Sequence, residues 1–223
     1  LTCYHPIRAW PGRVVNPDSG KRPLVFKQEF GFGEELAVPC GRCVGCRIDY
    51  SRQWALRCMH ESQMHEENHF VTLTYDQEHL PNDRSISRRE LQLFFKRLRK
   101  QTAQSFRYFA CGEYGEKLGR PHYHALLFGL KLGKLELISI RNGNRLYQSA
   151  VLDKAWGLGF ASVGEVSFQS CAYVARYVMK KRRGSEDDLA EHYQHIDENG
   201  ELYQVTPEFV LMSRGRKKPG GIG

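Results

Sequence analysis

The chemistry in this chain concentrates in the run Cys111-Gly-Glu-Tyr-Gly-Glu-Lys-Leu-Gly-Arg-Pro-His-Tyr-His124. An apolar stretch, Ala125-Leu-Leu-Phe128, follows it, so His122 to Leu130 reads as a strand. Alternation along a strand puts His122 and His124 on one face and Tyr123 on the other. Phe106 to Glu113 reads as a second strand, and the Gly- and Pro-bearing residues between them let the chain turn back. Hairpin pairing would then bring Glu113 to the two imidazoles. Two nitrogens and one carboxylate oxygen, with coordination positions left open, suit a catalytic divalent cation. A bare His-x-His pair is more often two satisfied histidines on a half-buried strand, so the reading depends on a partner motif.

Ser170-Cys-Ala-Tyr173-Val-Ala-Arg-Tyr177-Val-Met-Lys180-Lys181 supplies it. As a helix, this segment aligns Tyr173 and Tyr177 at a four-residue step, with Lys180 on the same face. Ala172, Val174, Ala175, Val178 and Met179 would dock the helix. Phenols can act as nucleophiles when positive charge helps them ionise, and Lys180 is a source of such charge. Amphipathic packing is the plainer meaning of a lone Tyr-x-x-x-Tyr.

A third cluster is Cys40-Gly-Arg-Cys43-Val-Gly-Cys46. Two overlapping Cys-x-x-Cys steps let thiolates converge on one tetrahedral Zn²⁺, and the glycines permit the tight turn. Cys3 is the first choice for a fourth ligand, followed by His5, Cys58 and His60. Free thiols in a loop, or part of an iron–sulfur ligand run, are the alternatives.

The elements that must carry these residues follow from periodicity. Residues 1 to 39 read as loop, with prolines at 6, 11, 17, 23 and 39. Arg47 to about Glu66 reads as a helix with Tyr50, Trp54 and Cys58 along one face. His69-Phe-Val-Thr-Leu-Thr-Tyr75 is a β-rich run suited to a central strand. Ser87 and Glu90 form a capping box for a helix to about Lys100, with Leu91, Phe94, Phe95 and Leu98 on the core side. Its other face carries Arg88, Arg89, Lys96, Arg97 and Lys100, candidates with Lys181 for DNA-backbone contact. Lys131 to Asn144 reads as a turn region, Leu146 to Trp156 as a helix and Phe160 to Val166 as a strand. The predicted fold is α+β: an antiparallel sheet with helices packed on one face, ferredoxin-like, plus a Cys-rich N-terminal arm. The expected division is residues 1–60 for the arm, 61–185 for the catalytic domain and 186–223 for an acidic loop and basic end.

Charge and cysteine usage set the limits. The chain has 223 residues and a formal net charge of +8. Seven of its 25 acids lie between 184 and 201, which leaves the remainder with 33 cations against 18 anions. Such a surface favours a polyanionic partner, most simply nucleic acid. No apolar run has the length of a membrane span, and no signal-peptide pattern is present. Seven cysteines, three of them clustered, point to metal binding or free thiols in a reducing compartment rather than a disulfide framework. Leu1 in place of a starting Met, and the bare Pro219-Gly-Gly-Ile-Gly223 end, are what a trimmed chain would show.

Taken together, the three stretches resemble the motifs of the HUH endonucleases that initiate rolling-circle replication. His69 to Tyr75 matches the first motif in type and position. His122-Tyr123-His124 reads as His, bulky hydrophobic, His. Glu113 stands where replication initiators of small DNA viruses carry an acidic third ligand, and Tyr173 with Tyr177 resembles the paired nucleophiles of the two-tyrosine subclass. Within that group the chain is similar to the replication initiators of microviruses, small single-stranded DNA phages of the gokushovirus type. The resemblance covers residues 69 to 181, and the Cys-rich arm and the Met212-Ser-Arg-Gly-Arg run match more loosely.

The resemblance implies a metal-dependent nickase and ligase. Glu113, His122 and His124 would hold Mg²⁺ or Mn²⁺. A tyrosine would attack the scissile phosphate of single-stranded origin DNA, giving a 5′-phosphotyrosine and a free 3′-OH primer. The setting implied is the cytoplasm of the bacterial host. No Gly-x-x-x-x-Gly-Lys-Ser/Thr loop is present, so a host helicase, polymerase and single-strand-binding protein are the implied partners. A relaxase or transposase would share this chemistry. A non-catalytic zinc-dependent nucleic-acid-binding module would not need the tyrosines, and a metallohydrolase would use water as its nucleophile.

Overall fold

The computed structural model describes residues 3–115, 119–141, 143–180, 193–196, 200–214 and 221–222. The chain divides into two units, residues 1–50 and 51–223.

The first unit is a three-stranded antiparallel sheet, in the order β2 (Leu24–Val25), β1 (Ile7–Pro11), β3 (Leu36–Val38). This corrects the expectation of loop through residue 39. The strands are short and flanked by prolines, so they give no periodic signal of their own. Trp10 anchors them. A Cβ on Gly31 would fall 2.4 Å from the Trp10 Cβ, so only glycine fits beneath the indole.

Helix α1 (Val44–Gln63) leads into the second unit. There, among the described residues, seven strands form one antiparallel sheet. Its order is β12 (Phe209–Met212), β5 (Arg107–Tyr114), β6 (Pro121–Phe128), β4 (Asn68–Tyr75), β9 (Gly159–Glu165), β8 (Asn144–Gln148), β7 (Glu136–Arg141). Three further helices are α2 (Arg88–Thr102), α3 (Ala150–Trp156) and α4 (Phe168–Lys180). A separate two-stranded ribbon pairs β10 (Gln194–Ile196) with β11 (Leu202–Gln204).

The α+β class and the antiparallel sheet are as the sequence implies. The helices, however, occupy both faces rather than one. On one face Val71, Leu73, Tyr75, Tyr123, Ala125 and Leu127 pack against Leu91, Phe94, Phe95 and Leu98 of α2 and Leu152 and Trp156 of α3. On the other face Phe109, Cys111, Leu126 and Phe128 pack against Ala55 and Cys58 of α1 and Cys171, Val174 and Ala175 of α4. The unbroken buried run Ala125 to Phe128 is the sequence mark of a strand covered on both sides.

Two segments differ from expectation. Lys131–Asn144 contains β7, and Leu146–Gln148 belongs to β8, so α3 begins only at Ala150. Leu146, Val151, Leu152 and Ala155 mimic one helical stripe, yet the first of them pairs in a hairpin with β7. The chain then turns into β9 through Gly159 (φ 143°), where a Cβ would meet the Thr74 carbonyl oxygen and the Asp76 N at 2.4 Å. Among the described residues, no helix is long and apolar enough to cross a membrane.

Candidate active site

Strand register assembles the site. Glu113 of β5 pairs with His122 of β6, and His122 pairs with Thr74 of β4. The adjacent row is Cys111, His124 and Thr72. Directly opposed residues share a face, so the carboxylate and both imidazoles converge, as the hairpin reading required. Tyr123 points through the sheet. Its hydroxyl accepts from the Ser87 N–H at 2.7 Å and lies 2.6 Å from the Tyr75 hydroxyl. Ser87 Oγ accepts from the Glu90 N–H at 3.2 Å, the forward half of the expected capping box. The return half is absent: the Glu90 carboxylate takes the Tyr75 hydroxyl instead, and Tyr123 satisfies the donor that Glu90 leaves. The residue between the two histidines is thereby tied to the start of α2.

Glu113 is 1% exposed. His122 Nε2 lies 2.7 Å and His124 Nε2 2.8 Å from its Oε1. The other ring nitrogens are held from behind: His122 Nδ1 is 3.0 Å from the Arg120 carbonyl oxygen, and His124 Nδ1 is 2.9 Å from Thr72 Oγ1. A ring that donates from Nδ1 keeps its Nε2 lone pair for a cation, and both Nε2 atoms face the carboxylate. Phe70 stacks on His124, with centroids 5.3 Å apart and planes 6° apart.

Burial pushes the Glu113 carboxyl up, but His122, through its hydrogen bond, and the nearby His124 imidazole outweigh it and bring it down to about 2. Burial holds His124 below the ordinary histidine range, against the pull of Glu113. His124 Nε2 is near Glu113 but out of hydrogen-bond alignment. It and Glu113 Oε2 are buried polar atoms without a hydrogen-bond partner. Such orphans are costly unless something else satisfies them. The three ligand atoms lie within 4.8 Å of one another. The donor set and its unsatisfied atoms fit a divalent cation.

Tyr173 of α4 reaches this group. Its hydroxyl donates to Glu113 Oε1 at 2.7 Å, and its ring meets His124 edge-on at 4.9 Å. Burial, and then the Glu113 hydrogen bond and charge, raise the phenol above its ordinary value of 10. The Arg176 guanidinium, 5.2 Å over the ring, acts in the opposite direction. Tyr177 follows one turn further along α4. It is 6% exposed within the core cluster, its ring 5.8 Å from that of Tyr173. The side chain of Lys180, and Lys181, lie outside the described residues.

The basic residues of α2 are elsewhere. That helix covers the face opposite the histidines, so Arg88, Arg89, Lys96 and Lys100 do not line the triad. Arg97 caps α3, donating to the Ala155 and Trp156 carbonyl oxygens at 2.6 and 2.9 Å. Arg88 sits 4.8 Å over the Phe209 ring. The site residues that sequence reasoning missed are Thr72, Phe70 and Arg176. Thr72 was legible in principle, since it alternates with Leu73 on a strand that had to neighbour the histidines.

In the first unit, Cys3, Cys40, Cys43 and Cys46 bring their sulfurs within 4.8 Å of one another. Cys3 completes the set, whereas Cys58 is buried in the core of the second unit. The Cys40–Cys46 and Cys3–Cys43 sulfurs are each 3.9 Å apart. A tetrahedral zinc with Zn–S of about 2.3 Å has an S–S edge of about 3.8 Å. Backbone N–H groups already point at the sulfurs: Arg42 and Cys43 to Cys40, Tyr4 and Cys46 to Cys43. These N–H groups pull Cys43 down to about 6, with Cys46 the larger contributor and Tyr4 the next. Burial pushes Cys46 up to about 12. A thiolate beside a protonated thiol is a partly charged cage, and a dication fits it.

A family model for the replication-associated protein ORF2 matches residues 68–182, the span that holds the triad and both tyrosines. Replication-associated protein VP4 of Bdellovibrio phage phiMH2K is 37% identical over 205 residues, covering 87% of this chain and 63% of that protein. Replication-associated protein ORF2 of Spiroplasma virus 4 is 36% identical over 190 residues, 80% of this chain and 55% of that one. Replication-associated protein ORF4 of Chlamydia phage 1 is 34% identical over 153 residues, 65% and 38%. The chain thus spans less than two thirds of the length of each. No solved structure matches. With just over half its residues inside that model, the chain belongs to the family of the replication-associated protein ORF2.

Proposed function

We propose that this chain initiates rolling-circle DNA replication as a metal-dependent, sequence-specific single-strand endonuclease and ligase of the HUH type. The observation that carries the reading is the 2.7 Å contact between a helix-borne phenol, Tyr173, and the carboxylate of a Glu-His-His group. Its relatives' names, replication-associated proteins of phages, supply the biological setting.

Glu113, His122 and His124 would hold Mg²⁺ or Mn²⁺, which when bound supplies positive charge to the scissile phosphate and to the attacking phenol. Two imidazoles among the ligands favour Mn²⁺. Tyr173 is the first nucleophile: its hydroxyl gives up its proton to solvent, its oxygen bonds to phosphorus as the bond to the 3′-oxygen breaks, and the 3′-oxygen takes up a proton from solvent. The products are a 5′-phosphotyrosine and a 3′-OH that primes a polymerase. Covalent capture keeps the phosphodiester's free energy, so the 3′-OH can later reseal the strand without ATP. Arg176 lies over the Tyr173 ring and favours the phenolate, and Lys180 is a second source of charge. Tyr177 sits one helical turn further along α4, about 6 Å, and takes the second cut once the first phenol is occupied and α4 shifts. Arg88, Arg89, Lys96 and Lys100 contact DNA that passes round the sheet rather than at the triad, and Lys181 is a further DNA-backbone contact. The four cysteines hold a structural Zn²⁺ that orders the first unit. Host helicase, polymerase and single-strand-binding protein complete the replication machinery.

The test incubates the protein with Mn²⁺ and labelled single-stranded DNA carrying its cognate origin, followed by a denaturing gel. A protein–DNA adduct that is lost in His122→Ala, with binding to single strands retained, supports the reading. Cleavage without attachment would mean a water nucleophile and a metallohydrolase. Binding without cleavage would mean a DNA-binding module.

A further inference from the structure

The site face of the sheet is covered unevenly. The row Glu113, His122, Thr74 continues onto β9 at Phe160, and the row Cys111, His124, Thr72 continues at Ser162. Phe160 therefore lies on the histidine face, two strands from His122 and about 10 Å away at ordinary strand spacing. Helices α1 and α4 pack over the β5–β6 side. On the β9–β8 side the ring of Phe160 is 67% exposed and Ile138 is 52% exposed. A large aromatic residue near the start of a strand, open to solvent and on the same sheet face as a reactive group, calls for a ligand.

Between these residues is an open cleft of about 240 Å³, lined by Thr72, Thr74, Ile138, Gln148, Phe160 and Ser162 among others. One wall is the same Thr72 whose hydroxyl contacts His124. The cleft is smaller than the roughly 300–1,000 Å³ of pockets for drug-sized ligands, so it suits a single ring system. Its lining has no Lys or Arg, so it is not built for a phosphate. It offers an aromatic face, the aliphatic Ile138 and Ala161, three hydroxyls, one amide and the Asp153 carboxylate. The amide is fixed: Gln148 Nε2 donates to Asp153 Oδ2 at 2.8 Å, and Asp153 Oδ1 accepts the Ala161 N–H at 3.2 Å. That leaves Gln148 Oε1 as an acceptor at the mouth of the cleft.

We propose that this cleft binds one unstacked DNA base next to the scissile phosphate, with Phe160 as its stacking surface and Gln148 as the group that reads its edge. The assignment of DNA as the ligand rests on the endonuclease reading above. An aromatic platform suits any base, since every base has a π-face. One of the two Gln148 N–H donors is held by Asp153, and the Oε1 acceptor matches an exocyclic amino group, which adenine, cytosine and guanine present and thymine lacks. The pocket thus contributes both affinity and part of the origin's sequence preference, while the triad holds the phosphate.

The test measures fluorescence anisotropy of labelled (dA)₁₂, (dC)₁₂ and (dT)₁₂ with the full chain in EDTA, so that no cleavage intervenes. The proposal expects tighter binding of (dA)₁₂ and (dC)₁₂ than of (dT)₁₂. Phe160→Ala should weaken binding by about tenfold or more, and Phe160→Tyr should restore it. Gln148→Leu should erase the preference against thymine. Because Phe160 is solvent-exposed, its replacement leaves the fold intact, which circular dichroism verifies. Binding by Phe160→Ala within about twofold of the parent, or a base preference unchanged in Gln148→Leu, would overturn the proposal. The two readings fail separately. A chain that forms the covalent adduct but binds equally well without Phe160 keeps the nickase and loses the pocket. Phe160-dependent binding in a chain that forms no adduct keeps the pocket and loses the nickase.

Discussion

Tyr173 donates its hydroxyl hydrogen to the same Glu113 oxygen that His122 and His124 approach, Oε1, at 2.7 Å. Three groups from a strand and a helix therefore meet on one buried oxygen atom. Without a cation, the phenol is held protonated by burial and by the neighbouring carboxylate. The same contact places it at the triad before any substrate arrives.

Thr72 orients His124 from behind, through the 2.9 Å contact at Nδ1. Thr72→Val keeps the shape and the strand preference but removes the hydroxyl. Partners of this kind are worth about 10–100-fold in metal affinity. Isothermal titration with Mn²⁺ should show a loss of that order with little change in unfolding midpoint.

Tyr123 fixes the metal strand to α2. Tyr123→Phe leaves the Ser87 N–H without its acceptor, which costs about 1–3 kcal/mol. Urea denaturation should register the loss. A change below about 0.5 kcal/mol would mean that water replaces the hydroxyl.

How much of this was legible beforehand depends on which forces act. The convergence of Glu113, His122 and His124 was readable because strand alternation and a short hairpin fix which residues oppose each other, while reading them as a cation site also needed the tyrosine helix. Tyr173 was readable as a helix-face residue. Its separation from Tyr177 in exposure was not, because a four-residue step aligns two side chains along a helix without saying where the sheet ends beneath them. The basic stripe of α2 was visible, but the face it occupies depends on which side of β6 Tyr123 takes, and that is a tertiary fact. Arg97 illustrates the limit: its spacing suggested a phosphate contact, and its guanidinium is committed to the carbonyl end of α3. Strands β7 and β8 were missed because edge hairpins carry little burial pattern of their own.

The first unit has few buried apolar side chains among its described residues: Ala9, Trp10 and Cys46. Metal binding would supply the stability that so small a core does not. Elemental analysis should give about one zinc per chain, falling below about half in Cys43→Ser. Chelation should make residues 1–50 sensitive to protease while 51–223 stay resistant.

His69 is buried and lies 2.9 Å from the Leu130 carbonyl oxygen, and burial depresses its pKa below 6.5. The unfolded chain accepts a proton near pH 6.5 that the folded chain refuses. The His69 contribution is therefore complete above that pH and is lost as pH falls from there through the folded value. The buried His124 acts in the same direction. Urea midpoints measured from about pH 7.5 down to about 5.5 should fall, and the slope should be shallower in His69→Gln.

The central claim is that Tyr173, not Tyr177, makes the first covalent bond to DNA beside Glu113, His122 and His124. Peptide mass spectrometry of the adduct formed with origin DNA and Mn²⁺ tests it directly. The account predicts the nucleotide on Tyr173, with adduct formation reduced on the order of a thousandfold in Tyr173→Phe and retained in Tyr177→Phe. A nucleotide mapped to Tyr177 in the unmodified chain, or an adduct undiminished in Tyr173→Phe, would contradict it.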